Sequence, residues 1–277
     1  MITDLTKYKR IFAFGCSFTG YIYPTWADII YKSMSPDVEF YNFGKSGGGN
    51  VFIANRITEA NRKFKFTDTD LVVVLWSTHA RIDFYKSDDS GNRGQWRTPG
   101  NIYTQDMLSE QAVKELEDLN WFLMRDLSII DLTTGYLNNL PCDSIKLMSS
   151  PHDYEISSRH MDIQNLTGSI INTYDSFLKD EYPNVSLYEF MDCKWSSVIK
   201  YKDPNHPDQE YFTDYHPTPV DYANYLIKCN VPISQEAITY AHESLNKMLA
   251  TGLYRLDIVN MFSDCDQRLS NAYRLLW

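Results

Sequence analysis

The sequence predicts an α/β fold, a three-layer arrangement in which a doubly wound, five-stranded parallel sheet carries helices on both faces. The strongest observation is the run Leu-Val-Val-Val-Leu-Trp at residues 71–76, whose apolar and β-branched side chains are typical of a strand buried on both faces. Two shorter apolar runs end at Gly15 and Gly44, as buried strands end at turns. Helical stretches lie between the runs, and this alternation predicts a parallel sheet.

The remaining elements are predicted in chain order. Strands are expected at residues 9–14, 38–43, 71–76, 144–148 and 185–190. Helices are expected at residues 24–34, 51–64, 162–180 and 219–228, with one helix or two at residues 108–138. Residues 86–104 are polar and predict a long loop, and residues 191–217 predict irregular structure.

Two domains are predicted. Residues 1–229 are expected to form the α/β domain, and residues 230–277 a helical C-terminal extension. A helix is predicted at residues 234–250, where apolar residues recur at helical spacing, and two shorter helices follow it. Such an apolar stripe predicts packing on the α/β domain or on a second subunit.

Composition excludes several functional classes. The chain has 277 residues, 43% hydrophobic and 22% charged, which is typical of a soluble globular protein. Its formal net charge of −10 argues against a nucleic-acid or anionic-membrane partner. No apolar run is long enough to span a membrane, and no signal-peptide core is found. Five scattered cysteines favour reduced thiols, so we expect a cytoplasmic protein.

Ser17 is the first candidate for chemistry. It follows the first predicted strand and precedes a predicted helix, which places it at the carboxyl end of the sheet, where α/β proteins bind ligands. An alternative role is that of a cap for the following helix.

The glycine-rich segment at residues 44–50 is the second candidate. It is not a phosphate-binding loop, because Glu39 occupies the position of the first glycine of that pattern, and it lacks the dinucleotide-binding spacing. Its remaining roles are a tight turn and backbone amides that bind an anion or an oxyanion at a helix start.

The third candidate is Asp214-Tyr215-His216, just before a predicted helix. A histidine at this edge can take the proton of a serine, and a nearby carboxylate can orient the ring. The alternative is a helix-entry turn in which His216 makes only local hydrogen bonds.

Taken in order, these motifs resemble the SGNH (GDSL-like) hydrolase family over about residues 9–228. The motifs that carry the resemblance are Gly15-Cys16-Ser17-Phe18-Thr19, with Cys16 in place of Asp, then Asn42-Phe43-Gly44-Lys45-Ser46-Gly47, and finally His216-Pro217. The resemblance implies that Ser17 is the nucleophile, His216 the general base and Asp214 its orienting carboxylate. It implies oxyanion donors from the amides of Ser17 and Gly47, a small acyl ester or acylated glycan as substrate, and no cofactor.

Two departures from the family pattern are present. Thr78 stands where the family has an oxyanion-binding asparagine, and losing such a donor costs about 3 kcal/mol of transition-state stabilisation. The hydroxyl of Thr78 is expected to donate to the oxyanion instead, and Ser77, His79 or Arg81 are alternative donors. The histidine motif is Asp-x-His instead of Asp-x-x-His, so either Asp214 or a backbone carbonyl orients the ring.

The function expected is therefore ester hydrolysis. Candidate substrate contacts are His79, Arg81, Trp96 and Tyr215, and no metal site is predicted. Two alternatives remain open: a non-catalytic binding or structural module, for example in a virion, and acyl transfer to a sugar. A homo-oligomer is compatible with each of these functions.

Overall fold

The computed structural model describes residues 2–87, 94–102, 109–116, 118–150, 164–191, 199–203 and 205–265. The strands within these ranges are β1 (Arg10–Phe14), β2 (Glu39–Asn42), β3 (Asp70–Trp76), β4 (Arg81–Ser87), β5 (Gly94–Asn101), β6 (Asp143–Met148), β7 (Ile199–Asp203) and β8 (His206–Asp214). The helices are α1 (Trp26–Lys32), α2 (Asn50–Phe64), α3 (Glu110–Leu116), α4 (Leu119–Asn138), α5 (Gln164–Glu181), α6 (Leu187–Phe190), α7 (Pro219–Lys228), α8 (Gln235–Ala250) and α9 (Arg255–Met261).

The central sheet is parallel and has the strand order β2-β1-β3-β6. All seven residues of β3 are buried, as its apolar run predicts. Its alternate side chains face opposite sides: Leu71 packs in a cluster with α1, α7 and α8, whereas Val72 packs in a cluster with α2 and α4. Each such side chain contributes roughly 1.5–3 kcal/mol of burial free energy. The predicted α/β class is thus confirmed.

The topology places a crevice beside β1. The connection through α1 leads from β1 to one neighbour, β2, and the connection through α2 passes back across the other face to β3. The chain therefore changes direction between the carboxyl ends of β1 and β3, and ligands bind at such a point in open α/β sheets.

The prediction of a fifth sheet strand at residues 185–190 is wrong. This segment contains the short helix α6, which begins after Ser186. Ser186 Oγ accepts the amide of Glu189, and the Glu189 carboxylate accepts the amide of Ser186, which is a complete capping box. The sequence contains this start signal, and it outweighs the apolar pattern.

Two predicted loops contain antiparallel hairpins instead. Strand β5 lies within the expected loop at residues 86–104 and pairs with β4, of which only the last two residues belong to that loop; residues 88–93, 103 and 104 lie outside the described ranges. Strands β7 and β8 pair within the region predicted to be irregular, where residues 192–198 are likewise outside. The first hairpin contacts Gly47 through Thr98, and the second hairpin ends at Asp214.

Helix α8 packs on the α/β domain. Ala237 is fully buried in the cluster that contains α1 and α7, and the amide of Ser234 donates to Ser33 Oγ at 2.9 Å. The domain boundary at residue 229 stays a prediction. Within the described ranges, no helix has both the length and the apolar character needed to cross a bilayer.

Helix α9 and the C-terminal end of α8 form a separate buried cluster against β7 and the loop before α1. Its members include Tyr23, Ile199, Tyr201, Met248, Ile258 and Phe262. Of the two short C-terminal helices predicted, α9 is described, and residues 266–277 lie outside the described ranges. The C-terminal extension therefore reaches the hairpin that carries Asp214.

Candidate active site

Ser17 lies in the turn that follows β1. The turn is closed by a hydrogen bond from the amide of Thr19 to the carbonyl of Cys16, at 3.0 Å. The carbonyl of Thr19 in turn accepts from Thr25 Oγ1 at 2.7 Å and from Asn42 Nδ2 at 2.8 Å. These bonds tie the turn to α1 and to the end of β2, so the position of Ser17 is fixed from both sides.

Ser17 does not cap the helix that follows it. The N-cap of α1 is Thr25, which forms a capping box with Asp28. The alternative role predicted for Ser17 is therefore wrong. Ser17 is 8% exposed, and its hydroxyl makes no hydrogen bond with any described residue.

The glycine-rich segment lies directly against this turn. A Cβ added to Gly44 would be 2.4 Å from the backbone nitrogen of Gly20, so only glycine permits the approach. Gly47 has a φ of +71°, and a Cβ there would be 2.2 Å from the carbonyl oxygen of Thr98 on β5. The first hairpin thus covers Gly47 and leaves no space for a side chain.

Thr78 follows β3 and is held by Arg81. Arg81 Nε donates to Thr78 Oγ1 at 3.0 Å, and its Nη1 donates to the carbonyl of Gly48 at 2.9 Å. The guanidinium of Arg81 therefore connects Thr78, which stands where the SGNH pattern has an asparagine, with the glycine-rich segment. Because Arg81 occupies an acceptor site of the hydroxyl, the O–H of Thr78 can still donate.

His216 and Asp214 form a close pair. Asp214 ends β8, and His216 precedes Thr218, the N-cap of α7. His216 Nδ1 lies 2.6 Å from Asp214 Oδ1, and the same oxygen accepts the backbone N–H of His216 at 3.0 Å. This arrangement assigns the proton to Nδ1 and leaves Nε2 with a lone pair, which is the form that a general base requires.

Asp214 is completely buried, and its second oxygen is also fully used. Oδ2 accepts from the hydroxyls of Tyr21 at 2.8 Å and Tyr201 at 2.9 Å. Burial by itself raises the pKa of Asp214, but the hydrogen bonds and charge of His216, together with the Tyr21 hydroxyl, outweigh it and hold that pKa below its ordinary value. Asp214 is therefore ionised at neutral pH.

His216 lies beside the Ser17 turn. The ring of Phe18, the next residue after Ser17, meets the imidazole edge-on with centroids 5.2 Å apart, and the ring of Tyr21 stacks on it at 3.8 Å. His216 Nε2 is buried and makes no hydrogen bond with any described residue, Ser17 included. The imidazole is thus contacted by Phe18, Tyr21 and Asp214, although 20% of the side chain stays exposed.

The four candidate substrate contacts occupy different environments. His79 is 5% exposed, and its Nδ1 lies 3.2 Å from Asp126 Oδ2. Trp96 packs edge-on against Phe52, with ring centroids 5.7 Å apart, and Arg81 makes the hydrogen bonds given above. Tyr215 is 59% exposed, next to His216. Their roles toward a substrate stay predictions.

Sequence reasoning missed several residues that hold the site together. Tyr21 and Tyr201 carry no motif, and only the pairing of β7 with β8 brings Tyr201 to Asp214. Asp83 is also missed: its carboxylate accepts the amides of Gly49 and Phe52 at 2.9 and 3.0 Å and so caps α2 from the hairpin. Within the described ranges, no three His, Cys, Asp or Glu side chains lie together as metal ligands.

No family model matches the chain, and no curated protein matches it. The solved structures that are similar to it include two at 13% sequence identity. One is a member of the lipolytic protein G-D-S-L family from Veillonella parvula DSM 2008, with a TM-score of 0.39 over 80% of this chain and 96% of the other. The other, from Desulfitobacterium hafniense DCB-2, is provisionally described as a lipolytic protein of the G-D-S-L family, with a TM-score of 0.37 over 81% and 99%. At these TM-scores neither match carries an argument about this chain.

Proposed function

We propose that the chain is a serine hydrolase of the SGNH type that cleaves a small acyl ester. The observation that carries the proposal is the pair formed by His216 and Asp214, with Nδ1 and Oδ1 2.6 Å apart and with Nε2 buried beside the Ser17 turn, where it has no hydrogen bond to any described residue. A buried carboxylate that orients an imidazole next to a serine is the arrangement that activates a hydroxyl nucleophile.

In this proposal, Ser17 Oγ attacks the carbonyl carbon of the ester while its proton passes to His216 Nε2. The imidazolium that forms is stabilised by the ionised carboxylate of Asp214. Collapse of the tetrahedral intermediate breaks the bond to the leaving alcohol, which takes the proton from Nε2. Water then attacks the acyl-enzyme with His216 again accepting a proton, which regenerates Ser17 and releases the acid.

The developing oxyanion is bound by the amides of Ser17 and Gly47 and by the hydroxyl of Thr78. Arg81 supports this role of Thr78, because its Nε occupies an acceptor site of the hydroxyl and strengthens the O–H as a donor. The three donors come from the three segments that meet at the crevice: the turn after β1, the glycine-rich segment and the turn after β3.

The substrate we propose is a small acyl ester, with an acetyl group on a carbohydrate as the leading case. This choice comes from the family resemblance of the sequence. Transfer of the acyl group to a sugar uses the same acyl-enzyme and differs only in the acceptor that attacks it.

The competing function is that of a non-catalytic binding or structural module, for example a virion component. Two observations favour it: His216 Nε2 has no hydrogen bond to Ser17, and a short threonine replaces the asparagine of the family pattern. Catalytic hydrogen bonds are often long without substrate, so the first observation does not exclude catalysis.

An aryl-acetate assay with and without an added sugar acceptor separates the three functions. Hydrolysis predicts release of acetate in water alone, transfer predicts release that depends on the acceptor, and a binding module predicts neither. Ser17→Ala should abolish the activity. Ser33→Ala is the matched control, because Ser33 is equally buried at the end of α1 and should retain activity. Equal activity of Ser17→Ala and wild type would contradict the proposal.

A further inference from the structure

The carboxylate of Asp214 is held by two tyrosines that come from separate parts of the chain. Tyr21 lies four residues after Ser17, in the loop before α1, and Tyr201 lies on β7. Their hydroxyls donate to the same oxygen, Oδ2, at 2.8 and 2.9 Å, while Oδ1 faces His216. A carboxylate with both oxygens bonded cannot rotate about its Cβ–Cγ bond without breaking hydrogen bonds.

We propose that Tyr21 and Tyr201 are positioning residues that lock the Asp214 carboxylate and, through it, the imidazole of His216. The inference rests on the proposed function and extends it to residues that no sequence motif marks. Neither tyrosine is assigned contact with the substrate.

Strand geometry explains how Tyr201 reaches Asp214. In the β7–β8 hairpin, Tyr201 pairs with Phe212 and Ile199 pairs with Asp214, so Tyr201 and Asp214 are diagonal neighbours on one face. Diagonal positions on a two-stranded sheet are about 7–8 Å apart, a separation that a tyrosine spans with its ring. Tyr201 is fully buried, so the bond to Asp214 is shielded from water.

Tyr21 acts on both members of the pair. Its hydroxyl bonds the carboxylate, and its ring stacks on the imidazole with an interplanar angle of 15°. Since Tyr21 belongs to the same loop as Ser17, it also joins the nucleophile segment to the base. The neighbouring Tyr23 extends this contact by donating its hydroxyl to the carbonyl of His216 at 3.3 Å.

The C-terminal extension closes this arrangement from outside. Met248, Ile258 and Phe262 pack in the cluster that contains Tyr23 and Tyr201. Burial raises the pKa of the Tyr21 and Tyr201 hydroxyls, as does the charge of Asp214, whereas the guanidinium of Arg255 acts in the opposite direction on both. The titratable groups that interact with the carboxylate or with its two tyrosines are therefore His216, Tyr23, Tyr222 and Arg255, and the hydroxyls of Tyr21 and Tyr201 stay protonated donors at neutral pH.

The test replaces one hydroxyl at a time and reads Asp214 directly. Tyr21→Phe and Tyr201→Phe keep the rings, and the Asp214 side-chain carboxyl is followed by ¹³C NMR during an acid titration, with Asp214→Asn used for assignment. Each variant should raise the titration midpoint by about one pH unit, because a hydrogen bond to the charged form is lost. Fluorophosphonate labelling of Ser17 should slow by roughly tenfold.

Tyr182→Phe is the matched control. The Tyr182 hydroxyl is also buried and makes two hydrogen bonds, with Trp76 Nε1 and Thr134 Oγ1, both at 2.7 Å, in the cluster on the other face of the sheet. Its removal should lower stability without moving the Asp214 midpoint. The control therefore distinguishes a general loss of packing from a specific effect on Asp214. If either Tyr21→Phe or Tyr201→Phe fails to fold, the other variant is sufficient for the test.

The outcomes separate this inference from the proposed function. An Asp214 midpoint that stays at the wild-type value in both tyrosine variants overturns the positioning role, even when Ser17 is labelled normally. A wild-type chain that is never labelled, while the midpoint moves in the tyrosine variants and not in Tyr182→Phe, overturns the hydrolase and supports the locked carboxylate.

Discussion

The side chain of Asp214 accepts both the ring Nδ1 of His216, at 2.6 Å, and the backbone N–H of His216, at 3.0 Å, with the same oxygen. An aspartate that accepts the N–H two residues ahead forms an Asx turn, so the Asp-x-His spacing is enough to bring ring and carboxylate together.

We expect Asp214→Asn to lower esterase activity by about 10³–10⁴-fold, because a neutral amide does not stabilise the imidazolium. Steady-state kinetics on an aryl ester measures this.

Asp143→Asn controls for the loss of an ionised carboxylate. Hydrogen bonds from Lys7 and Tyr8 lower the pKa of Asp143, but this residue begins β6, at the end of the sheet remote from Ser17. Its variant should keep wild-type kinetics. An Asp214→Asn variant within threefold of wild type would mean that another group orients His216.

Acid stability should depend on Asp214 in a defined pH range. The folded-state pKa of Asp214 is lower than its ordinary value of 3.8, so its ionised form stabilises the fold fully above that value, and the contribution is lost as pH falls toward the folded pKa. Urea unfolding of wild type and Asp214→Asn should therefore give a difference in unfolding free energy that becomes smaller as the pH falls below about 4. A difference that grows below about pH 4 would contradict the assigned direction.

The two central strands of the sheet, β1 and β3, could be predicted from the sequence because they are buried and must be apolar. The β3 run at residues 71–76 is the clearest case. The hairpins were not predictable in this way. Their strands are only partly buried, as in β4, where residues 84–87 are exposed, so burial imposes no apolar run. Pairing across the hairpin, which a linear sequence does not display, decides their structure.

Asp83 should support the glycine-rich segment through direct hydrogen bonds. Its carboxylate caps α2 through the amides of Gly49 and Phe52, and burial raises its pKa despite these bonds. Asp83→Ala should cost about 1–2 kcal/mol of unfolding free energy and reduce kcat, because Gly47 and its neighbours lose their support. Thermal unfolding and kinetics give the two readouts. Asp68→Ala, at an exposed turn position, should change neither the unfolding free energy nor kcat. If Asp83→Ala loses stability while kcat stays unchanged, the cap of α2 does not support the candidate site.

The C-terminal extension should stabilise the fold through identified contacts. Met248 is fully buried against Tyr23 and Tyr201, whereas its neighbour Leu249 is 53% exposed. Met248→Ala should lower the unfolding free energy by about 2–5 kcal/mol, and Leu249→Ala by less than about 0.5 kcal/mol. Chemical unfolding of both variants measures the contrast. A chain ending at Val231 that is as stable as the full chain would show that the extension contributes nothing.

The candidate site was predictable only in part. Motif order pointed to Ser17, Gly47 and His216, since each adjoins a strand or helix that the sequence indicates. The support around them was not predictable, because Tyr201 reaches Asp214 only through strand pairing, and Arg81 reaches the carbonyl of Gly48 only after the chain folds back over the glycine-rich segment. Such contacts depend on three-dimensional packing rather than on spacing along the chain.

Fluorophosphonate labelling, followed by intact-mass and peptide mass spectrometry, decides whether Ser17 is an activated nucleophile. We expect one adduct per wild-type chain, located on Ser17, absent from Ser17→Ala and strongly slowed in His216→Ala. A folded wild-type chain that acquires no adduct, or a Ser17→Ala variant that is labelled as fast as wild type, would show that Ser17 is not an activated nucleophile.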